Sequence, residues 1–64
     1  MKINKEKCQL AMARACMSMG DIANKLGVSR SAFSLTMKRE NIRPALIGRI
    51  AKALDVDPID IIDP

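Results

Sequence analysis

The chain has 64 residues, with eleven Lys and Arg, seven Asp and Glu, no histidine and a net charge of +4. A domain of this size buries only about 60% of its unfolded surface, which leaves little room for an enzyme pocket, and the missing histidine removes the commonest general base and metal ligand. One phenylalanine among 48% hydrophobic residues means an aliphatic core, better suited to packed helices than to a sheet.

Taken in order, Asn4 is placed to cap a first helix from Lys5 to about Ala15 or Cys16. Cys8, Ala11, Met12 and Ala15 form its inner stripe, Lys5, Gln9 and Arg14 its polar face, and Leu10 points away from the stripe. Ser18 and Asp21 read as a capping box that opens a second helix, on which Ile22, Ala23 and Leu26 share one face. Gly20 inside that helix costs up to ~1 kcal/mol relative to Ala. A small residue there would let a neighbour approach closely. Gly27 ends the helix where a positive φ is wanted, and Val28 is expected to be a buried linker. Ser29 then caps a third helix from Arg30 to about Lys38. At ~100° per residue, Arg30, Ser31, Ser34 and Lys38 share one arc of it, while Phe33, Thr36 and Met37 lie largely on the other side.

A loop from Arg39 to Arg43 leads to Pro44, the first residue of a fourth helix. Ile47, Ile50, Ala51 and Leu54 give that helix the strongest apolar stripe in the chain, with Arg49 and Lys52 outside. Asp55 takes its C-terminal end. Asp57 and Asp60 box a last short helix that begins at Pro58 and carries Ile59, Ile61 and Ile62. The expectation is therefore all-α: a compact bundle of five short helices forming a single domain over residues 1–64. Within it, residues 19–38 have the pattern of a helix-turn-helix.

Charge is unevenly spread. Residues 1–54 hold all eleven basic residues against three acids, a net +8, and the last ten residues hold four aspartates and no cation. A basic body favours a polyanionic partner. Cys8 and Cys16 stand eight apart on one predicted helix, roughly 12 Å along its axis, too far for an internal disulfide. They fit small core or half-exposed residues of a reducing cytosol, and without histidine they make a poor zinc site, so no metal is expected. No uncharged run approaches the ~20 residues of a membrane span. Lys2, Lys5 and Lys7 ahead of apolar residues 10–19 mimic a secretory leader weakly, but Glu6 and Arg14 interrupt the pattern. A cytoplasmic protein is expected. Ser29, Ser31 and Ser34 have no histidine to activate them, no phosphate-binding loop is present, and neither catalysis nor a cofactor is expected.

Met17, Ile22-Ala23, Leu26-Gly27-Val28-Ser29, Arg30, Phe33, Ser34, Arg43-Pro44 and Ile50-Ala51-Lys52-Ala53-Leu54 with Val56 fall in one continuous register. In that register the chain resembles the phage repressor and Cro-like helix-turn-helix family, often called XRE, from about Cys8 to Ile62 without an insertion. The resemblance implies a lambda-repressor-like fold and a DNA-binding transcriptional regulator. This would be a repressor of the kind found in phages and mobile elements, reading the major groove with the helix at 30–38. Several positions depart from the family. Cys16 and Arg39 stand where a helix often ends on Gly, as does Asp55. Met12 and Met37 replace a common Arg–Glu pair, and Thr36 a larger apolar residue.

In that reading Arg30 donates bidentately to a guanine, and Ser31 and Ser34 meet bases or phosphates. Ser29 lies at the start of the same helix, and Leu35, where relatives often place a polar reader, meets a thymine methyl. Lys38, Arg39 and Arg43 hold phosphates, and Met19 stands where relatives commonly brace one with glutamine. Double-stranded DNA and a second copy of the chain are the expected partners, with no membrane and no small-molecule ligand. The dimer surface is assigned to Pro58, Ile59 and Ile61, more apolar surface than a short terminal helix can bury alone, and recognition helices would sit about 34 Å apart on a near-palindromic site. The alternative is a protein-interaction module of the same fold, an antitoxin or an anti-repressor.

Overall fold

Ile47, Ile50, Ala51 and Leu54 are all buried on one side of a helix that runs from Pro44 to Leu54, and they form one part of a single core. In this computed structural model, which describes residues 1–63, the helices are α1 (Lys5–Arg14), α2 (Met19–Leu26), α3 (Arg30–Lys38) and α4 (Pro44–Leu54). Pro58–Asp60 follows as a single 3-10 turn. The expected fifth helix is thus only three residues long. Its capping box forms as predicted, with Asp57 accepting from the Ile59 N–H and Asp60 from the Asp57 N–H, but Ile61 leaves helical geometry at once. The core joins Cys8, Ala11 and Met12 of α1 to Ile22 and Ala23 of α2, Phe33 and Met37 of α3, and the stripe of α4. Met12 and Met37 are both buried in it.

The helix starts follow the sequence closely. Asn4 accepts from the Lys7 N–H at 3.0 Å and Ser29 from the Ala32 N–H at 3.1 Å. Ser18 and Asp21 form a reciprocal box, Ser18 donating its N–H to the Asp21 carboxylate at 2.9 Å and its Oγ accepting from the Asp21 N–H at 3.2 Å. The bond from the Ser18 N–H holds the Asp21 carboxyl below its ordinary range, so the box weakens as pH falls through that lowered value. Gly20, inside α2, has no close neighbour that needs it: an added Cβ would meet only the Ser18 Oγ, at an ordinary 3.7 Å.

Three of the four helices end in the same way. Cys16, Gly27 and Asp55 take left-handed conformations with φ of 54°, 73° and 56°. The next N–H in each case bonds back five residues: Met17 to Met12, Val28 to Ala23 and Val56 to Ala51. These are Schellman-type ends, in which an apolar residue follows the left-handed one. Val28 takes that position but is 45% exposed, not buried as the sequence suggested, because it is not packed against the core. Arg39 differs. It leaves α3 in extended geometry, with φ of −72° and ψ of 141°.

The first four residues are more than a lead into α1. Ile3 is buried and bridges antiparallel to Ile62, while the Asn4 N–H donates to the Ile61 carbonyl at 2.9 Å and the Asp63 N–H to the Lys2 carbonyl at 3.1 Å. On the other side the Ile42 N–H donates to the Met1 carbonyl at 2.7 Å. This strap ties the 39–43 loop to the C-terminal turn. It also buries Ile42 and Ile61, the latter with no exposed surface.

Truncating this core should be severe. Phe33→Ala is expected to cost ~3–5 kcal/mol and Ile50→Ala ~2–5 kcal/mol, most of the stability of so small a domain. Thermal melts followed by circular dichroism check both, and a wild-type melt for either would displace that residue from the core.

The left-handed position of Cys16 gives a gain in the opposite direction. A non-glycine residue there costs about 1–2 kcal/mol, partly offset by the flexibility glycine adds to the unfolded chain. Cys16→Gly should raise stability by up to ~1 kcal/mol, seen as a higher Tm, whereas Cys16→Ser should not.

The two thiols should also react differently. Cys8 is fully buried and its burial pushes the thiol up, while Cys16 is exposed. An alkylating reagent near pH 8 should modify Cys16 alone in the folded chain and both in denaturant, read by intact mass. Two modifications in the folded state would mean that the start of α1 opens freely.

Candidate nucleic-acid interface

The third helix is held from one side and free on the other. Phe33 and Met37 anchor it in the core, and Thr36 satisfies its hydroxyl within the helix by donating to the Ala32 carbonyl at 3.0 Å. Thr36 is half-buried, which suits a short side chain that needs no outside partner. Around the opposite arc Arg30, Ser31, Leu35 and Lys38 are exposed and Ser34 is half-exposed. Leu35 shows 65% of its surface, much for an aliphatic side chain on a small domain. Ser29 lies at the end of this arc, but its Oγ is engaged as the helix cap, which leaves its main chain as the available group.

Arg39 and Arg43 continue the surface beyond Lys38. The extended exit at Arg39 lets the chain run outward, and Ile42, buried under the N-terminal strap, fixes the loop between the two arginines. Arg43 caps α4 through its carbonyl, which accepts from the Leu46 and Ile47 N–H groups at 3.0 and 3.1 Å, and its side chain makes no capping bond. The only ion pair among the described residues is Lys2–Glu40, at 3.9 Å and largely exposed. Arg30, Lys38, Arg39 and Arg43 are exposed, and none of them takes part in a salt bridge among the described residues. Such a surface concentrates positive potential beside α3.

Not every expected site residue belongs to this surface. Met19, at the first turn of α2, is half-buried and packs against the core, so its side chain serves the interior more than a ligand. Of the residues assigned to a dimer surface, Pro58 and Ile59 are exposed but Ile61 is not available: it is fully enclosed beneath the Ile3–Ile62 bridge. The reason is that the chain leaves helical geometry at Ile61, turning that side chain inward.

The structure adds basic residues that chain order did not bring together. Arg49 lines one shallow hollow with Arg39 and Arg43 and another with Lys25 and Lys52, making a continuous basic band across α4. Its guanidinium donates to the Leu26 carbonyl at 3.2 Å, at the C-terminal end of α2 where cations are favoured. At the C-terminal end of α3, Lys2 and Lys5 lie around a hollow with Lys38, but Glu6 and Asp63 line it too, so the basic surface does not extend there. The outward positions of Arg49 and Lys52 on α4 were readable from periodicity. That they adjoin the loop arginines depends on how α4 crosses the bundle. Among the described residues no helix is long and apolar enough to cross a membrane. Compared with protein-family models, curated proteins and solved structures, the chain matches none.

Proposed function

We propose that this chain binds double-stranded DNA in the cytoplasm, acting by binding and not by catalysis, as a sequence-specific transcriptional repressor of the phage or mobile-element type. The observation that carries the reading is α3 itself, anchored by Phe33 and Met37 and presenting Arg30, Ser31, Ser34, Leu35 and Lys38 outward, with the unpaired Arg39 and Arg43 beyond its end. A helix held in this way has one face free to enter a major groove. Its short hydroxyls and one long guanidinium are of the kinds that read base edges, and the loop cations suit the flanking phosphates. The lambda-repressor-like arrangement belongs to the same proposal and rests on the residue register around Leu26-Gly27-Val28-Ser29. A protein-interaction module of the same architecture, an antitoxin or an anti-repressor, is the second reading, and the exposed Leu10 and Ile59 favour it.

The two arginines should fail differently. Arg30 reads a base, so Arg30→Ala is expected to weaken a site selected from random duplexes by ~1–3 kcal/mol and to relax preference at one position. Arg43 holds a phosphate, so Arg43→Ala should weaken all duplexes about equally and lower the salt slope by about one per subunit. Affinity against salt concentration, on the selected duplex and a scrambled one, measures both. If Arg43→Ala changes base preference while Arg30→Ala only shifts overall affinity, the orientation given to α3 is wrong. Should neither affect binding, or the wild type bind no duplex, the interaction-module reading takes its place.

A further inference from the structure

We propose that Lys25, Arg49 and Lys52 form a second phosphate track, separate from α3, that takes the backbone of duplex DNA flanking the site α3 reads. It rests on the DNA-binding reading above and adds a surface which that reading does not use. Arg49 is common to two adjoining hollows, one lined also by Arg39 and Arg43, the other by Lys25 and Lys52. These cations are all exposed, and among the described residues no carboxylate and no part of α3 lines either hollow. Hollows over α1 and the chain ends differ, each including Glu6, Asp60 or Asp63. Glu40, the one acid in the 39–43 loop, lies against Lys2 at 3.9 Å instead. Arg49 is held at the junction: its guanidinium donates to the Leu26 carbonyl at 3.2 Å and keeps its remaining donors for a ligand.

Two observations select a phosphate backbone over an acidic protein. The exposed large apolar side chains, Met1, Leu10, Val28, Leu35 and Ile59, all lie away from both hollows, so a protein partner would find no apolar anchor there. A polyanionic strand needs none, because each neutralised phosphate releases counterions. The band is also continuous with the loop arginines. Helix α4 starts next to Arg43 and rises ~1.5 Å per residue, which puts Arg49 and Lys52 about 9 and 14 Å further along its axis. One DNA strand presents a phosphate about every 3.4 Å of duplex axis, so a stretch of that length spans about four. A strand that passes Arg43 and follows α4 meets Arg49 and then Lys52, with Lys25 beside them from the last turn of α2.

The test is affinity against salt for the full chain on two duplexes. One ends at the site selected from random sequence; the other carries that site with about 20 base pairs, two helical turns, added at each end. Lys25→Gln/Lys52→Gln removes two band cations at exposed helical positions where glutamine is a good helix former. On the long duplex this variant should bind about tenfold more weakly than the wild type at about 50 mM salt, with a salt slope lower by about two per chain. On the short duplex the two should agree. Lys5→Gln/Lys7→Gln makes the same change in net charge on α1 and should follow the wild type on both duplexes. Both variants should melt like the wild type, because all four side chains are exposed. A band variant that loses equally on both duplexes, or no more than the α1 variant, overturns the track. So does a selected site bound with the same slope at both lengths, and that result leaves reading by α3 intact. A chain without sequence preference whose binding to long duplexes still depends on Lys25 and Lys52 refutes the reading and keeps these residues as phosphate contacts. A chain that binds no duplex overturns both.

Discussion

The apolar stripe of α4 is the constraint on which the rest of the molecule depends. Ile47, Ile50, Ala51 and Leu54 lie within one buried face, and α2 and the 3-10 turn both pack directly against α4. With a single aromatic residue in the chain, no large ring can bridge gaps between helices, so close approach of aliphatic side chains has to supply the burial. Cys8, Ala11, Ala23 and Ala51 provide that closeness. They are small residues at buried positions, where a larger side chain would force the helices apart. Among the described residues no polar side chain is buried, so nothing in the core requires an internal hydrogen-bond partner.

Helix endings then decide where the surfaces lie. At Cys16, Gly27 and Asp55 the chain reverses through a left-handed residue and returns an N–H to the helix it has just left. Such an ending is short and fixes the angle between successive elements, which keeps α2 against α3 and the 3-10 turn against α4. Only one of these three positions is glycine. The other two carry a conformational cost that the tertiary packing holds in place. The extended exit at Arg39 has the opposite consequence, lengthening the path between α3 and α4 and carrying Arg39 and Arg43 out to the surface. Ile42 prevents that segment from being merely loose, because it is buried and its N–H is bonded to the Met1 carbonyl.

Two surfaces of different chemistry result. One runs from Arg30 along α3 to the loop arginines and across Arg49 to Lys25 and Lys52, basic and with no salt bridge among the described residues. The other joins Leu10 to Ile59 and mixes aliphatic side chains with charges of both signs. Long-range attraction to a polyanion suits the first, and a short-range, shape-dependent contact suits the second. The N-terminal strap touches both regions, bonding to Ile42 in the loop and to Ile61 beside the C-terminal turn.

Local chemistry made much of this legible in the sequence. The caps at Asn4, Ser18, Ser29 and Asp57, the proline at the start of α4 and the glycine at the end of α2 depend on neighbours within a few residues, and each formed as the sequence implied. The buried stripe of α4 and the outward arc of α3 follow from helical periodicity, which is also local. Apart from Met19, which lies in α2 and packs against the core, the misreadings concern segments without a period. Val28 looked like a buried linker and is substantially exposed; Ile61 looked like free surface and is enclosed; Ile3 and Ile42 gave no sign of being core at all. Isolated apolar residues in irregular chain have no face of their own, so only the segments that pack on them decide whether they are covered. The same holds for Arg49, whose outward position was set by sequence but whose proximity to Arg43 and Leu26 came from the crossing of α4 over α2. The sequence by itself therefore determined the helices, their caps and their inner faces, since bonds spanning three or four residues fix them. Only the tertiary structure decided the fate of the strap, the loop and the C-terminal turn, because their burial depends on contacts between residues as far apart as Ile3 and Ile62.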